Sequence, residues 1–120
     1  MQKGPGVEQL KALKGRFSVQ ERGEGLDAEG GAFLDTAAVM QNLDLVVTAD
    51  TAVAHLAGAL GVPVWVAVAA VADWRWMVGR EETPWYPTLR LFRQHALGNW
   101  EGVFRRIAQE VTPLVARGRC

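Results

Sequence analysis

The residues with the clearest chemical potential lie in one short segment, Asp50-Thr51-Ala52, and His55 follows one helical turn later. A hydroxyl group and free backbone N–H groups can bind the oxygens of a diphosphate, and alanine has no bulk to keep an anion away. Thr51 and His55 are four residues apart, so both side chains project from one face of any helix that begins here. His55 could therefore donate a hydrogen bond to a phosphate or to a sugar hydroxyl.

Each of these residues also has a purely structural explanation. Asp50 or Thr51 could be an ordinary N-cap, which stabilises a helix by about 1 kcal/mol. His55 could simply pack between a helix and a sheet, because a single histidine is weak evidence for a ligand site. Residue spacing leaves both interpretations open for both positions.

The elements around this segment are those of a parallel α/β unit. Residues 45–48 form a short, continuous, β-rich run that is typical of a strand covered on both faces. Gly61 and Pro63 should end the helix that follows, and residues 64–68 resume strand character. A helix that begins at the carboxyl end of a parallel strand directs unpaired N–H groups and a partial positive charge at one place, which suits a phosphate.

The rest of the chain continues the alternation of helix and strand. Helices are predicted over residues 7–13, 32–42 and 100–115, strands over 16–19 and 89–92, and one helical turn over 74–78. Asp35 should cap or pack near the start of its helix. Residues 20–31 should form a flexible loop and residues 116–120 a tail. The sequence therefore predicts one α/β domain over residues 1–120 with a short parallel sheet.

The segment over residues 73–86 has an unusual composition, with three tryptophans, a tyrosine and two arginines. Aromatic rings and arginine together can stack on bases or sugars and neutralise phosphate. An aromatic cluster that closes this loop over the sheet edge explains the composition as well.

Composition narrows the possible functions. Lysine plus arginine and aspartate plus glutamate both number 13, and a net charge of zero argues against nucleic-acid binding through bulk charge. The single cysteine, Cys120, cannot form an internal disulfide, so we expect a cytoplasmic protein. The longest apolar run, residues 62–72, is too short to span a membrane. The sequence contains no P-loop, nucleophile elbow or paired metal-binding histidines, so we predict no catalytic residue, metal or cofactor.

The order of four motifs resembles the C-terminal part of bacterial heptosyltransferase-like glycosyltransferases, in the branch attached to tetratricopeptide repeats. The motifs are DTAVAH at residues 50–55, AGALGVP at 57–63, DWRW at 73–76 and PWYPTLRLFRQ at 84–94. The resemblance implies a GT-B enzyme, in which two Rossmann-like domains enclose a cleft. This chain would then be a Rossmann-like three-layer α/β/α unit, a partial C-terminal domain that binds the nucleotide-sugar donor.

The resemblance also implies roles for individual residues. Asp50, Thr51, Ala52 and His55 would contact the donor diphosphate and sugar, and Thr51 with the adjacent amides would stabilise the leaving diphosphate without a metal. Heptosyltransferases commonly have glycine where this chain has Ala52, and alanine still allows backbone contact. The branch usually has prolines around positions 70 and 72, which are alanines here.

In the family that the chain resembles, an N-terminal domain supplies the acceptor site and usually the base, and the resemblance implies that this domain is missing here. We therefore expect a fragment that transfers no sugar by itself and whose partners are a nucleotide-diphosphate sugar and the missing domain. The alternative is an inactive remnant that serves as an interaction or oligomerisation module, because a tryptophan-rich loop could expose surface that the missing domain would cover.

Overall fold

The computed structural model describes residues 9, 12, 18–20 and 25–118 of the 120-residue chain. The chain divides into two compact units, residues 1–39 and residues 40–120. Most of the predicted helix over 7–13 and half of the predicted strand over 16–19 lie outside the described residues. Residues 18 and 19 have no regular secondary structure.

The first unit contains a turn that caps helix α1, Leu34–Met40, the last residue of which belongs to the second unit. Asp27 Oδ1 accepts hydrogen bonds from the backbone N–H groups of Asp35 (2.7 Å) and Thr36 (3.1 Å). Asp35 Oδ2 in return accepts from Asp27 N at 2.9 Å. Asp35 therefore makes the packing hydrogen bond that was one of its two predicted roles, and Asp27 is the residue that caps the helix. The helix begins two residues later than predicted, because Phe33 has a φ of 67°, outside the helical region.

The second unit is built on a short parallel sheet, as the sequence predicts, and this sheet has three strands. The strands are β1 Val46–Ala49, β2 Val64–Val68 and β3 Leu89–Arg93, and their spatial order is β1-β2-β3. Val46 lies opposite Val64, which in turn lies opposite Leu89. All three strands therefore present their carboxyl ends at the same edge of the sheet.

Helix α2, Ala52–Ala59, connects β1 to β2. It ends where the sequence predicts, because Gly61 has a left-handed φ of 71°. The N–H of Val62 donates to Ala57 O at 3.0 Å, and that of Gly61 to Gly58 O at 3.1 Å. These two bonds form a Schellman motif, which satisfies carbonyl groups at the end of a helix. A single 3₁₀ turn, Trp74–Trp76, replaces a helix in the connection from β2 to β3.

Side chains alternate between the two faces of the sheet and form two cores. On the first face, β2 residues pack with Ala54 and Ala57 of α2 and with Trp76 of the 3₁₀ turn. On the second face, Ala67 and Phe92 pack with helix α3, Trp100–Gly118. The sheet therefore lies between α2 with its neighbouring loop and α3.

Helix α3 continues three residues beyond the predicted end at Val115. Asn99 Oδ1 caps its first turn by accepting from Gly102 N at 3.1 Å. Arg90 of β3 forms ion pairs with Glu110 of α3 and with Glu81, and these pairs raise the pKa of its guanidinium. Within the described part of the chain, no helix combines the length and the apolar character needed to cross a membrane.

Candidate functional site

The predicted anion site lies at the carboxyl edge of the sheet, where β1 passes into α2. Asp50, Thr51 and Ala52 are all exposed at this junction. Thr51 is the N-cap residue, with extended backbone angles (φ −138°, ψ 174°). Its hydroxyl makes no capping hydrogen bond and lies 3.4 Å from the hydroxyl of Thr48. Ala54 N donates to Thr51 O at 3.0 Å. The two N–H groups before it, those of Ala52 and Val53, have no partner within the helix, and no Thr51 side-chain cap competes with a ligand for them.

His55 is half-buried and is held on several sides. Its ring stacks on Trp76, with centroids 5.2 Å apart and planes at 19°. The edge of the ring faces Tyr86 at 5.8 Å, and His55 Nδ1 lies 3.1 Å from Tyr86 Oη. The hydrogen bond to Tyr86 is made at Nδ1, and none of these contacts is a hydrogen bond at His55 Nε2. The packed-histidine interpretation therefore describes the surroundings of the ring, and Nε2 keeps its capacity to bind a ligand.

Tyr86 reaches His55 because Gly58 leaves room for it. A Cβ atom at position 58 would lie 2.5 Å from Tyr86 Cγ, well inside van der Waals contact. The absence of a side chain at Gly58 thus allows an aromatic ring to pack closely against the backbone of α2. Residue spacing could not identify this ring, since Tyr86 is 31 residues away from His55.

The loop that supplies Trp76 and Tyr86 is fixed by side-chain hydrogen bonds. The Asp73 carboxylate accepts from Arg75 at its backbone N (3.0 Å), Nε (2.9 Å) and Nη2 (3.0 Å). The hydrogen bonds from Arg75 lower the pKa of Asp73, and the same carboxylate raises the pKa of Arg75. Trp85 Nε1 donates to Arg75 O at 2.9 Å.

A second attachment comes from the sheet. Arg93 Nη2 of β3 donates to Trp76 O (3.0 Å) and Met77 O (2.8 Å). Together these bonds hold the non-helical connection in place, including the left-handed backbone of Met77, where φ is 54°.

The aromatic residues of this loop divide between the two interpretations of the segment. Trp76 is fully buried in the core on the α2 face. Trp74 and Trp85 are 77% and 52% exposed, and the Arg75 side chain between them in sequence is also largely exposed. One ring therefore closes the loop over the sheet, and two rings remain accessible.

The carboxyl edge contains a further polar residue that residue patterns do not single out. Gln94, directly after β3, is buried, and its Oε1 accepts from Ala70 N at 3.1 Å. Its backbone N donates to Val68 O at 3.0 Å. Gln94 therefore fixes the chain after β2 against the end of β3. The signal that could have found it is a glutamine immediately after an apolar strand.

The second face of the sheet has an apolar groove of about 540 Å³ between β1 and α3. The side chains that line it come from β1, from β2 and from the first turns of α3: Val47, Thr48, Ala49, Ala67, Trp100 and Phe104. Val47 is 46% exposed and Phe104 is 55% exposed. Neither residue belongs to the predicted site, and an edge strand with an outward valine gives only a weak sequence signal.

The chemistry that this arrangement offers is anion and hydroxyl binding. A hydroxyl, helix N–H groups and an imidazole lie near the start of α2, together with the exposed Asp50 carboxylate. Among the described residues, no group of three or more His, Cys, Asp or Glu side chains could hold a metal ion.

The chain is similar in sequence to part of a known bacterial protein. Over 117 residues, 97% of the chain, the sequence is 32% identical to the protein FlbA of Caulobacter vibrioides. The matched segment is 19% of that protein, so the chain spans about a fifth of the length of this relative. No family model and no solved structure matches the chain.

Proposed function

We propose that this chain is the donor-binding part of a glycosyltransferase and binds the diphosphate of a nucleotide sugar at the start of α2. The observation that carries the proposal is the exposed N-cap Thr51, whose hydroxyl makes no capping bond within its own helix. The parallel sheet adds support, because ligands of open α/β folds bind at the carboxyl ends of the strands. In this proposal the unit is Rossmann-like and corresponds to part of the C-terminal domain of a GT-B enzyme.

The proposed roles follow from the chemistry of each group. The Thr51 hydroxyl and the first N–H groups of α2, including that of Ala52, would bind the diphosphate. His55 Nε2 would add a hydrogen bond to the same anion or to the sugar. The Asp50 carboxylate would repel phosphate, and we assign it to donor hydroxyl groups instead.

These residues would supply only part of what sugar transfer requires. The site provides electrostatic stabilisation of a leaving diphosphate and contains neither an acceptor site nor an assigned base. Transfer would therefore depend on the N-terminal glycosyltransferase domain as partner. We place the activity in the cytoplasm, where the lone Cys120 would remain reduced.

The direct test is a nuclear magnetic resonance titration of the ¹⁵N-labelled chain with uridine, adenosine and guanosine diphosphates up to millimolar concentration. At least one nucleotide should shift the amide signals of Thr51, Ala52 and His55. Thr51→Val, which removes the hydroxyl but keeps the shape, should weaken binding about tenfold, the usual effect of losing a hydrogen bond to a charged group.

The matched control is Thr112→Val, since the Thr112 hydroxyl donates to Ala108 O within α3. This variant should bind as the wild type does. The proposal fails for this chain if none of the three amide signals responds, or if both valine variants lose affinity equally.

A second candidate function is an association module, and the apolar groove between β1 and α3 is the observation that favours it. The occupant that we propose is a second copy of this chain. Two copies would not repel one another through net charge, which is zero. Among the described residues, the edge strand β1 beside the groove also has one side without a neighbouring strand in the sheet.

A further inference from the structure

The contact between Tyr86 and His55 bears on how the proposed site recognises an anion. Tyr86 Oη lies 3.1 Å from His55 Nδ1, and the hydroxyl is attached to a ring that packs against α2. A neutral imidazole has one donor nitrogen and one acceptor nitrogen. The hydrogen bond made by one nitrogen therefore decides whether the other nitrogen carries the N–H proton.

We propose that Tyr86 is a positioning residue: its hydroxyl donates to His55 Nδ1 and thereby makes Nε2–H the donor available to a diphosphate. This inference rests on the proposed donor-binding function. The direction of the hydrogen bond follows from basicity, because imidazole nitrogen is a much better acceptor than a phenol oxygen, and a phenol O–H is a good donor. With Nδ1 occupied as an acceptor, the proton of the neutral ring must be on Nε2.

The surroundings of the two rings keep this arrangement rigid. Trp76 stacks on a face of the imidazole and is fully buried, although its own Nε1 has no hydrogen-bond partner among the described residues. The Trp76 backbone is held in turn by Arg93. Contacts with Trp76 and Tyr86 therefore hold the His55 ring in place, and the position of its N–H proton is the property that can still vary.

The choice of tautomer matters for an anionic ligand. In the Nε2–H form, the imidazole offers a donor to phosphate oxygen while it is neutral. In the Nδ1–H form, the same nitrogen would present a lone pair, which repels the anion. Without the Tyr86 hydroxyl the neutral ring would populate both forms, so part of the molecules would lose a donor at the site.

The first measurement needs no ligand. Imidazole ¹⁵N shifts of the full chain, recorded at about pH 8.5 where an ordinary histidine is neutral, report the tautomer directly. The chain contains two histidines, and His95→Gln assigns the signals. The wild type should show the Nε2–H form of His55. Tyr86→Phe keeps the ring beside Gly58 and removes only the hydroxyl, and it should show a mixture of both forms.

The second measurement links the tautomer to binding. Affinity for the nucleoside diphosphate that binds the wild type should fall about three- to tenfold in Tyr86→Phe, the range for one hydrogen bond. In a His55→Ala background the same change should have no further effect, because Tyr86 acts through His55.

The outcomes separate this inference from the function on which it rests. A wild-type ring in the Nδ1–H form, an unchanged tautomer in Tyr86→Phe, or equal losses in both backgrounds would each overturn the positioning role. A wild-type chain with the Nε2–H tautomer but without any nucleotide binding would overturn the donor-binding function and leave Tyr86 as the residue that orients His55.

Discussion

At the residue scale, the site depends on a glycine that leaves room for an aromatic ring. Gly58 lies where an added Cβ would be 2.5 Å from Tyr86 Cγ and 2.8 Å from two further ring carbons. Because the contact is with a ring that also packs against His55, Tyr86 cannot move without changing the surroundings of the imidazole. Gly58 lies in the same helix as His55, three residues after the motif DTAVAH, and the space beside it determines how the histidine of that motif is packed.

Gly58→Ala should therefore destabilise the protein although it improves helix propensity. Overpacking costs about 1–3 kcal/mol, and replacing glycine by alanine in a helix returns up to about 1 kcal/mol. We expect the free energy of unfolding in urea to fall by about 1–2 kcal/mol. The control is Gly118→Ala, where no atom of the described residues lies within 4 Å of the added Cβ, and it should leave stability unchanged or slightly higher. Equal stability of both variants would mean that Tyr86 moves aside freely.

Some features of individual site residues could be predicted from the sequence, and others could not. The N-cap position of Thr51 follows from local sequence, because a threonine comes between a strand and an apolar helix. The absence of its capping bond depends on the orientation of the hydroxyl towards Thr48, which sequence spacing does not specify. The partnership of His55 with Tyr86 joins residues 31 positions apart, and helical periodicity relates only residues three or four apart.

At the element scale, the 3₁₀ turn Trp74–Trp76 should depend on pH through Asp73. The pKa of this carboxylate is lower in the folded state, so its contribution is present above the unfolded value of about 3.9 and is lost as pH falls through the folded value. We expect acidification below about pH 4 to release Arg75. The indole N–H signal of Trp85, which donates to Arg75 O, should then shift.

Asp73→Asn should remove this pH dependence, and Asp44→Asn, at an exposed carboxylate elsewhere in the chain, should preserve it. The measurement is the set of indole N–H signals between about pH 6 and pH 3, a window that brackets ordinary carboxyl pKa values. A Trp85 signal that titrates identically in Asp73→Asn would mean that another carboxyl group controls the turn.

The elements themselves were largely predictable where local rules decide them. Strand β2 has the predicted bounds, because an apolar run follows the helix stop made by Gly61 and Pro63. Helix α1 ends two residues before the predicted end at Asn42, and it begins later than predicted because of the left-handed backbone at Phe33, which is rare for a large residue and has no local signal. The connection before β3 takes its shape from Arg93, a long-range contact beyond the reach of periodicity.

At the scale of the whole molecule, the two faces of the sheet in residues 40–120 are covered unequally. The α2 face has a continuous core of buried residues that includes Met40 and Leu91. On the opposite face α3 packs with Ala67 and Phe92, and the part of the sheet near β1 is left with the exposed Val47. The apolar groove is the result of this unequal cover.

If the groove joins two copies of the chain, a charge placed in it should prevent association. The wild type should form dimers with increasing concentration in sedimentation equilibrium, because pairing would bury Val47 and Phe104 and no net charge opposes it. Phe104→Glu should remain monomeric at concentrations where the wild type dimerises. Val71→Glu is the matched control, since Val71 is 83% exposed and does not line the groove. A monomeric wild type at millimolar concentration, or equal dissociation in both variants, would exclude the groove as a contact between copies.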